Sequence, residues 1–522
     1  MRIFDVVVIG AGPAGEHVAA RTAAAGLNTV VVEAVLRPRD RTSGGRHDLP
    51  RAQRPERAGI TLVRGHGRLS GPRIVEVTGT DGAVLRLSAL HAVAVCTGTR
   101  AALPPLPGLA ALRPWTSREA AGATKVPPRL AIVGGGVAAV EMATAWQALG
   151  SQVTLVVPES GLLPRVERFA ADLVTDALRA SGVELRFDTT LSAATRAADV
   201  RLALSDGAVL HADELLLAAG RAPRTDDLGL ETVGLRPGAW LPSDDTYTVP
   251  GVTGDWLYAV GDVNQRALLT HQGRYQARIA GTVIADRARN HPLDRRPWSR
   301  HTGTADHVAV PQVLLTDPEI AFVGLTAADA VRLGRDVDIV DLDLGLVAGA
   351  HQHSPGQRGR ARILLDPARG TLLGATFAGR GVAGLLQSAT FAIAGEIPLD
   401  RLRHAVPALP TLSEVWLRLL ETHRDTTAPR PAGAETASEE IPNMERFVLR
   451  VAARCRGSAR HRRRADVLRT SDGLRTAPSS APSRPPMSHP RAWGRAGRVS
   501  AGSNGPAGRR SGAGRRRVGG GR

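Results

Sequence analysis

Two stretches of the chain share one grammar of apolar and polar positions. VVVIGAGPAGEHVAARTAAAGLNTVVVEA, from Val6, and AIVGGGVAAVEMATAWQALGSQVTLVV, from Ala131, each run through an apolar strand, a glycine turn, an alanine-rich helix, a glycine and a second apolar strand. An offset of 124 residues carries Gly10 onto Gly134, Gly12 onto Gly136, Gly15 onto Ala139 and Gly26 onto Gly150. Strands without alternation suit a parallel sheet covered on both faces. The pattern therefore predicts two βαβ units of one kind.

Elsewhere the period changes. Residues 60–95 alternate in short β-like runs, ITLVRGHG, RIVEV and AVLRLSA, punctuated by Gly-Pro and Asp-Gly turns. A second meander, VELRF, VRLALSDG and AVLHADELLLAAG, is expected after the second unit. From about Thr302, strands (VPQVLLTD, RILLD, TLLGATFAG) mix with helices around residues 384–394 and 413–422, which predicts a separate α+β domain. Beyond residue 422 Pro, Gly, Ser and Arg dominate. Such a segment buries too little apolar surface to offset its ordering entropy and is expected to be disordered.

Composition narrows the function classes. At 522 residues the chain exceeds what one hydrophobic core supports. The formal charge of +18 would suggest a nucleic-acid partner, but residues 426–522 hold 21 Arg against six acids, so +15 of it sits in the tail. The remaining +3 gives no electrostatic footprint for nucleic acid. Two cysteines, Cys96 and Cys455, exclude a disulfide scaffold and fit a cytoplasmic protein. No signal peptide, membrane span or metal-ligand cluster is expected.

The chemistry lies in the glycine turns. In Gly10-Ala-Gly12-Pro-Ala-Gly15 the first glycine permits the tight turn, the second lets a pyrophosphate approach the backbone, and the third lets the helix pack close to the sheet. The helix N-terminus offers free N–H groups to phosphate. The following strand ends in Glu33, an acceptor for ribose hydroxyls. In the second unit Gly134, Gly136 and Ala139 repeat the motif, but the position of Glu33 is taken by Val157. Glu159 stands two residues on and the nearest arginines are Arg165 and Arg168, so NAD and NADP both remain open.

With these motifs stand VCTGTRAALPPLPG from Val95, LLLAAGRAPRTDDLGLE from Leu215, WLYAVGD from Trp256, VPQVLLTDPEIAFVGLT from Val310 and LPTLSEVW from Leu409. In order and spacing the chain resembles the class I pyridine nucleotide-disulfide oxidoreductases, the dihydrolipoamide dehydrogenase-like family, over most of residues 1–422. The resemblance implies an α/β fold with two Rossmann-like domains, for FAD and NAD(P), and a C-terminal α+β dimerisation domain. Expected boundaries are 1–114 and 246–301 for the FAD domain, 115–245 for the NAD(P) domain, 302–424 for dimerisation and 425–522 for the tail. It implies FAD and NAD or NADP as cofactors and a homodimer. It places Thr97, Gly98, Gly220 and Gly261 against the cofactors, Asp262 on the ribityl chain of FAD, and His271 where the chain passes the flavin ring. Glu141 and Glu414 match positions of the catalytic apparatus.

The same resemblance exposes three departures. The family's redox cysteine pair has no counterpart, for no cysteine precedes Cys96, which reads as packing, and VLRPRDRTSGGRHDLPRAQRPERAG follows Glu33 almost at once. The family's lysine partner for Glu141 is missing too, since Lys125 is the chain's one lysine, so Glu141 is expected to stand unpaired. Leu409 occupies the place of the acid–base histidine before Pro410 and Thr411, and leucine transfers no proton. His404 is off register as a replacement. Three functions follow: an NAD(P)H oxidoreductase passing electrons from FAD to a non-disulfide small-molecule acceptor, a dihydrolipoamide dehydrogenase-like disulfide reductase, or a non-enzymatic family member.

Overall fold

Strand β1 (Arg2–Ile9) runs through the middle of a sheet and feeds two cores at once. Val6 and Val8 pack with Val18 and Ala19 on one face, and Val7 and Ile9 pack with Val75 and Trp256 on the other. That double burial is why the strand reads as an unbroken apolar run. The computed structural model describes residues 1–34, 59–353, 356 and 358–427, all within one compact unit, Met1–Ala437. Residues 35–58, after Glu33, and the expected tail beyond residue 427 lie outside the described residues; residues 423–427, expected to be disordered, instead continue the last helix, Glu414–Thr427.

Helix α1 (Pro13–Ala24) returns the chain to β2 (Thr29–Glu33), parallel to β1. Strands β3 (Thr61–Arg64), β4 (His66–Leu69), β5 (Ile74–Thr78) and the long β6 (Val84–Val95) complete the order β3-β2-β1-β6-β5-β4. The strand β7 (Thr99–Ala101) then leaves this sheet.

The second unit repeats the plan. Strand β8 (Arg129–Val133), helix α2 (Val137–Ala148) and strand β9 (Gln152–Val156) are followed by helix α3 (Arg168–Ala180) and strand β10 (Glu184–Arg186). Here the structure corrects one expectation. The VELRF run joins the parallel sheet as β10 beside β9, because it ends a βαβ crossover through α3. The meander is confined to β11 (Leu191–Arg196), β12 (Val200–Leu204) and β13 (Val209–Ala212), and β14 (Glu214–Leu217) returns to pair with β8. Strand β15 (Arg221–Pro223) pairs antiparallel with β7, tying the two units together, and β16 (Leu257–Ala259) adds to β6. Helix α4 (Thr270–Ala288) packs on α1 through Ala277, Ala280 and Val283.

The remaining strands, β17 (Gln312–Leu314), β18 (Glu319–Gly324), β19 (Asp338–Asp343), β20 (Arg360–Asp366) and β21 (Thr371–Gly379), form an antiparallel sheet in the order β17-β18-β21-β20-β19. Helices α5 (Leu386–Ala394) and α6 (Glu414–Thr427) cover it through Leu386, Ala389, Val415 and Leu419.

Two buried ionic knots hold this sheet region to the glycine units. Asp306, whose side chain is 1% exposed, meets Arg266 Nε at 3.0 Å and accepts from Tyr247 Oη (2.9 Å), Gln272 Nε2 (2.7 Å) and Gln276 Nε2 (3.1 Å). Glu167, before α3, accepts from Ala327 N–H (2.7 Å) and Arg362 Nη1 (2.9 Å), while Arg362 also grips Asp341. A buried carboxylate persists only when its lone pairs are answered in this way.

Candidate functional site

The first glycine turn opens onto a cavity of about 390 Å³. Its conformation is set by the strand behind it: a Cβ at Gly10, where φ is +104°, would lie 2.6 Å from the carbonyl oxygen of Cys96 as β6 ends. Gly15 is tighter still, with a hypothetical Cβ 1.9 Å from Gly10 O. Gly12, by contrast, has open space beside it and starts α1 without a side-chain cap. The unsatisfied N–H groups of the helix N-terminus are left for an anion.

Two carboxylates and three guanidinium groups line the same cavity. Glu33 Oε2 accepts from Ala11 N–H at 2.6 Å, which lays the carboxylate across the glycine turn. Asp262 accepts from Thr99 Oγ1 at 3.0 Å and lies 3.9 Å from Arg221 Nη2. Arg224 Nε donates to Thr99 O at 3.1 Å. Burial, and then repulsion from Arg118, Arg100 and Arg221, pulls the Arg224 guanidinium below its ordinary pKa. An anion in the cavity would relieve that crowding. The Thr97 hydroxyl, also lining it, is buried without a hydrogen-bond partner among the described residues, and such a group ordinarily finds one in a ligand or water. A glycine cradle, an acid at the ribose position, an orphaned hydroxyl and an arginine cluster together fit a dinucleotide with a diphosphate.

The loop beside Asp262 is held from behind. Gln276 Oε1 accepts from Gly261 N–H (2.8 Å) and Asn264 Nδ2 (2.9 Å), and its own amide donates to Asp306. Asp262 is therefore positioned by a chain that ends in the Asp306 knot.

The structure thus brings Gly10, Gly12, Glu33, Thr97, Gly98, Gly261 and Asp262 around one cavity, with Gly15 packed behind the turn. Gly220 precedes β15 and is not part of the lining, although Arg221 is. His271, exposed at the start of α4, hydrogen-bonds to Pro311 O at 2.9 Å. Gly134, Gly136 and Ala139 form the second turn, where a Cβ at Gly134 would lie 2.6 Å from Ala218 O. Ala139 is fully buried there.

Glu141 corrects an expectation. Instead of standing unpaired, its Oε1 accepts from Leu315 N–H at 2.9 Å, a backbone partner that no search for a lysine could reveal. Glu414 is 3% exposed and accepts from Thr411 N–H at 2.9 Å at the start of α6. Leu409 is 65% exposed, and His404 lies on the surface. Sequence reasoning overlooked Arg118, Arg221, Arg224 and Thr99. The two arginines of GRAPR were a visible signal, but their convergence with Arg118 depends on the β7–β15 ribbon.

Family comparison agrees with this geometry. Residues 4–277 match the model of the pyridine nucleotide-disulphide oxidoreductases, and residues 310–419 match that family's dimerisation domain. The chain belongs to this family. Members of the pyridine nucleotide-disulphide oxidoreductase family bind FAD and NAD(P)H, and the two glycine turns lie within the matched segment. Among relatives, a mercuric reductase of Acidithiobacillus ferrooxidans is 32% identical over 349 residues, covering 66% of this chain and 59% of the relative. A dihydrolipoyl dehydrogenase of Synechocystis is 29% identical, covering 68% of this chain and 75% of the relative. The match thus takes in under two thirds of the mercuric reductase's length. In fold, the Cu(II) complex of the HOCl-induced flavoprotein disulfide reductase RclA of Escherichia coli superposes with a TM-score of 0.69 at 22% identity, covering 81% of this chain and 100% of RclA. LpdA of Mycobacterium tuberculosis gives a TM-score of 0.68 at 21% identity, covering 81% of this chain and 100% of LpdA. No helix among the described residues is long and apolar enough to cross a membrane.

Proposed function

We propose that the chain is an FAD-dependent NAD(P)H oxidoreductase that delivers electrons to an acceptor other than a disulfide: a quinone, a dye, oxygen or a second nicotinamide nucleotide. The observation that carries this reading is the pairing of a cofactor cavity with described residues that offer it no reactive thiol. Cys96, the one cysteine among the described residues, is buried, and burial pushes its thiol up to about 12, so it supplies no thiolate at neutral pH. Leu409, at the family's acid–base position, can neither give nor take a proton.

FAD, when bound, supplies the hydride-accepting chemistry. The chain's own residues provide the rest. Gly12 and the start of α1 offer backbone N–H groups to the diphosphate, with Arg118, Arg221 and Arg224 as counter-charge. Glu33 accepts from ribose hydroxyls, and Asp262, held by Thr99, faces the cavity as an acceptor for sugar hydroxyls. The second turn, Gly134 to Gly136, serves the nicotinamide nucleotide. Exposed Phe391 (64%) and Val406 (85%), within the match to the dimerisation domain, support a homodimer.

Purified protein should carry the visible absorbance of flavin, and NADH or NADPH should bleach it without dithiol. A colourless preparation that takes up no added FAD would sink the proposal. The family's disulfide-reductase relatives sustain a second reading. Turnover with dihydrolipoamide would establish that reading and remove the argument from the cysteines.

A further inference from the structure

The two glycine turns can be compared residue by residue, and the comparison assigns a role the repeat alone conceals. In the first turn the carboxylate of Glu33 lies against Ala11, the residue between the first two glycines. The offset of 124 equates Ala11 with Gly135 and Glu33 with Val157. Val157 is fully buried, and a Cβ at Gly135 would meet its Cγ1 at 2.6 Å, so the valine fills the floor beneath the second turn. The same hypothetical Cβ would lie 3.6 Å from Glu159 Oε2. A carboxylate thus stands beside the middle residue of both turns, but in the second it comes from two positions further along.

Four features favour this as a built arrangement. Asp188 N–H donates to Glu159 O at 3.2 Å and Thr189 N–H to Val157 O at 3.1 Å, fixing the segment along the sheet edge. Leu163 N–H donates to Gly135 O at 2.8 Å, folding the following loop over the turn. Among the described residues the Glu159 carboxylate has no hydrogen-bond or ion-pair partner, so it is available to a ligand. Arg168, the basic residue nearest this loop on α3, is engaged by Asp172 at 2.9 Å.

We infer that Glu159 is the specificity-determining residue of the second nucleotide site: it accepts from the adenosine ribose hydroxyls of NADH and repels the 2′-phosphate of NADPH. This inference rests on the proposed function, since it presumes that the second turn binds a nicotinamide nucleotide. A free diol can donate two hydrogen bonds to a carboxylate, whereas a phosphate there places like charges together.

The test is equilibrium binding, by calorimetry, of ADP-ribose and 2′-phospho-ADP-ribose to the full-length, FAD-loaded chain, with and without Glu159→Gln. We expect the unphosphorylated probe to bind about tenfold tighter or more, the size of one charge-assisted hydrogen bond. Glu159→Gln should bring the two affinities to within about threefold, by weakening ADP-ribose and improving its phosphorylated form. Because Glu159 is exposed, flavin content and the unfolding midpoint should stay as in the unmodified chain. Equal or tighter binding of the phosphorylated probe, with exposed Arg165 as the competing partner, would overturn the assignment while leaving the oxidoreductase reading standing. An unchanged preference in Glu159→Gln would also overturn it. If neither probe bound to a protein that retains flavin, the nicotinamide reading itself would fall.

Discussion

The first and second glycine turns show which parts of a nucleotide-binding loop are dictated by backbone and which are free to change. Gly10 and Gly134 are required for one reason in both: a returning strand brings a carbonyl, of Cys96 or Ala218, to 2.6 Å from where a Cβ would stand. The third position obeys no such rule. A Cβ at Gly15 would stand 1.9 Å from Gly10 O, yet its counterpart Ala139 carries a methyl in a fully buried place. The acid has moved as well, from the strand end in the first turn to two residues later in the second. Turn geometry therefore tolerates one sequence solution, whereas helix spacing and the source of the nearby carboxylate admit several.

The comparison can be broken most sharply at the third glycine position. Gly15→Ala should cost about 3 kcal/mol or more and abolish flavin binding, because a backbone oxygen cannot yield to the new methyl. The reciprocal Ala139→Gly should cost only about 1 kcal/mol. Urea unfolding of the two variants measures both, and equal costs would mean that the turns are packed alike after all.

The two ionic knots offer a second contrast. Asp306→Asn should lose about 3 kcal/mol, since Arg266 and three neutral donors converge on that one buried carboxylate. It should also lower flavin content, because Gln276 links Asp306 to the Gly261 backbone. Glu167→Gln should cost less, about 2 kcal/mol, for Arg362 keeps two bonds to Asp341. Its flavin content should not change. A loss of flavin in both variants would show that the knots are not separate.

A smaller effect is expected at Glu33. Glu33→Gln should weaken FAD about tenfold, read by flavin release on dilution, with little change in unfolding. Smallest of all, Cys96→Ala installs the residue that stands at the matching place in the second unit, Ala218, and should change stability at neutral pH by less than about 1 kcal/mol. Its signature lies in alkali. Burial raises the Cys96 pKa from 9.0 to about 12 in the folded chain, so folding favours the neutral thiol. That stability is fully present below pH 9 and is lost as pH rises toward about 12. The alanine variant should lack that alkaline decline.

The sequence by itself determined the two βαβ units, the glycine positions, Glu33 at a strand end, a third region of mixed strands and helices, and the lack of any cysteine before Cys96. These were legible because strand burial and tight turns impose local periods and residue types that survive in one dimension. Tertiary structure decided what depends on distant segments meeting. It alone placed β10 in the parallel sheet, gave Glu141 a backbone partner at Leu315 and gathered Arg118, Arg221 and Arg224 at one cavity. It also set Glu159 beside Gly135, where an alignment by offset pointed to Val157. An amide or guanidinium carries no mark in sequence of the group it will meet, because that pairing is fixed by how the sheets pack.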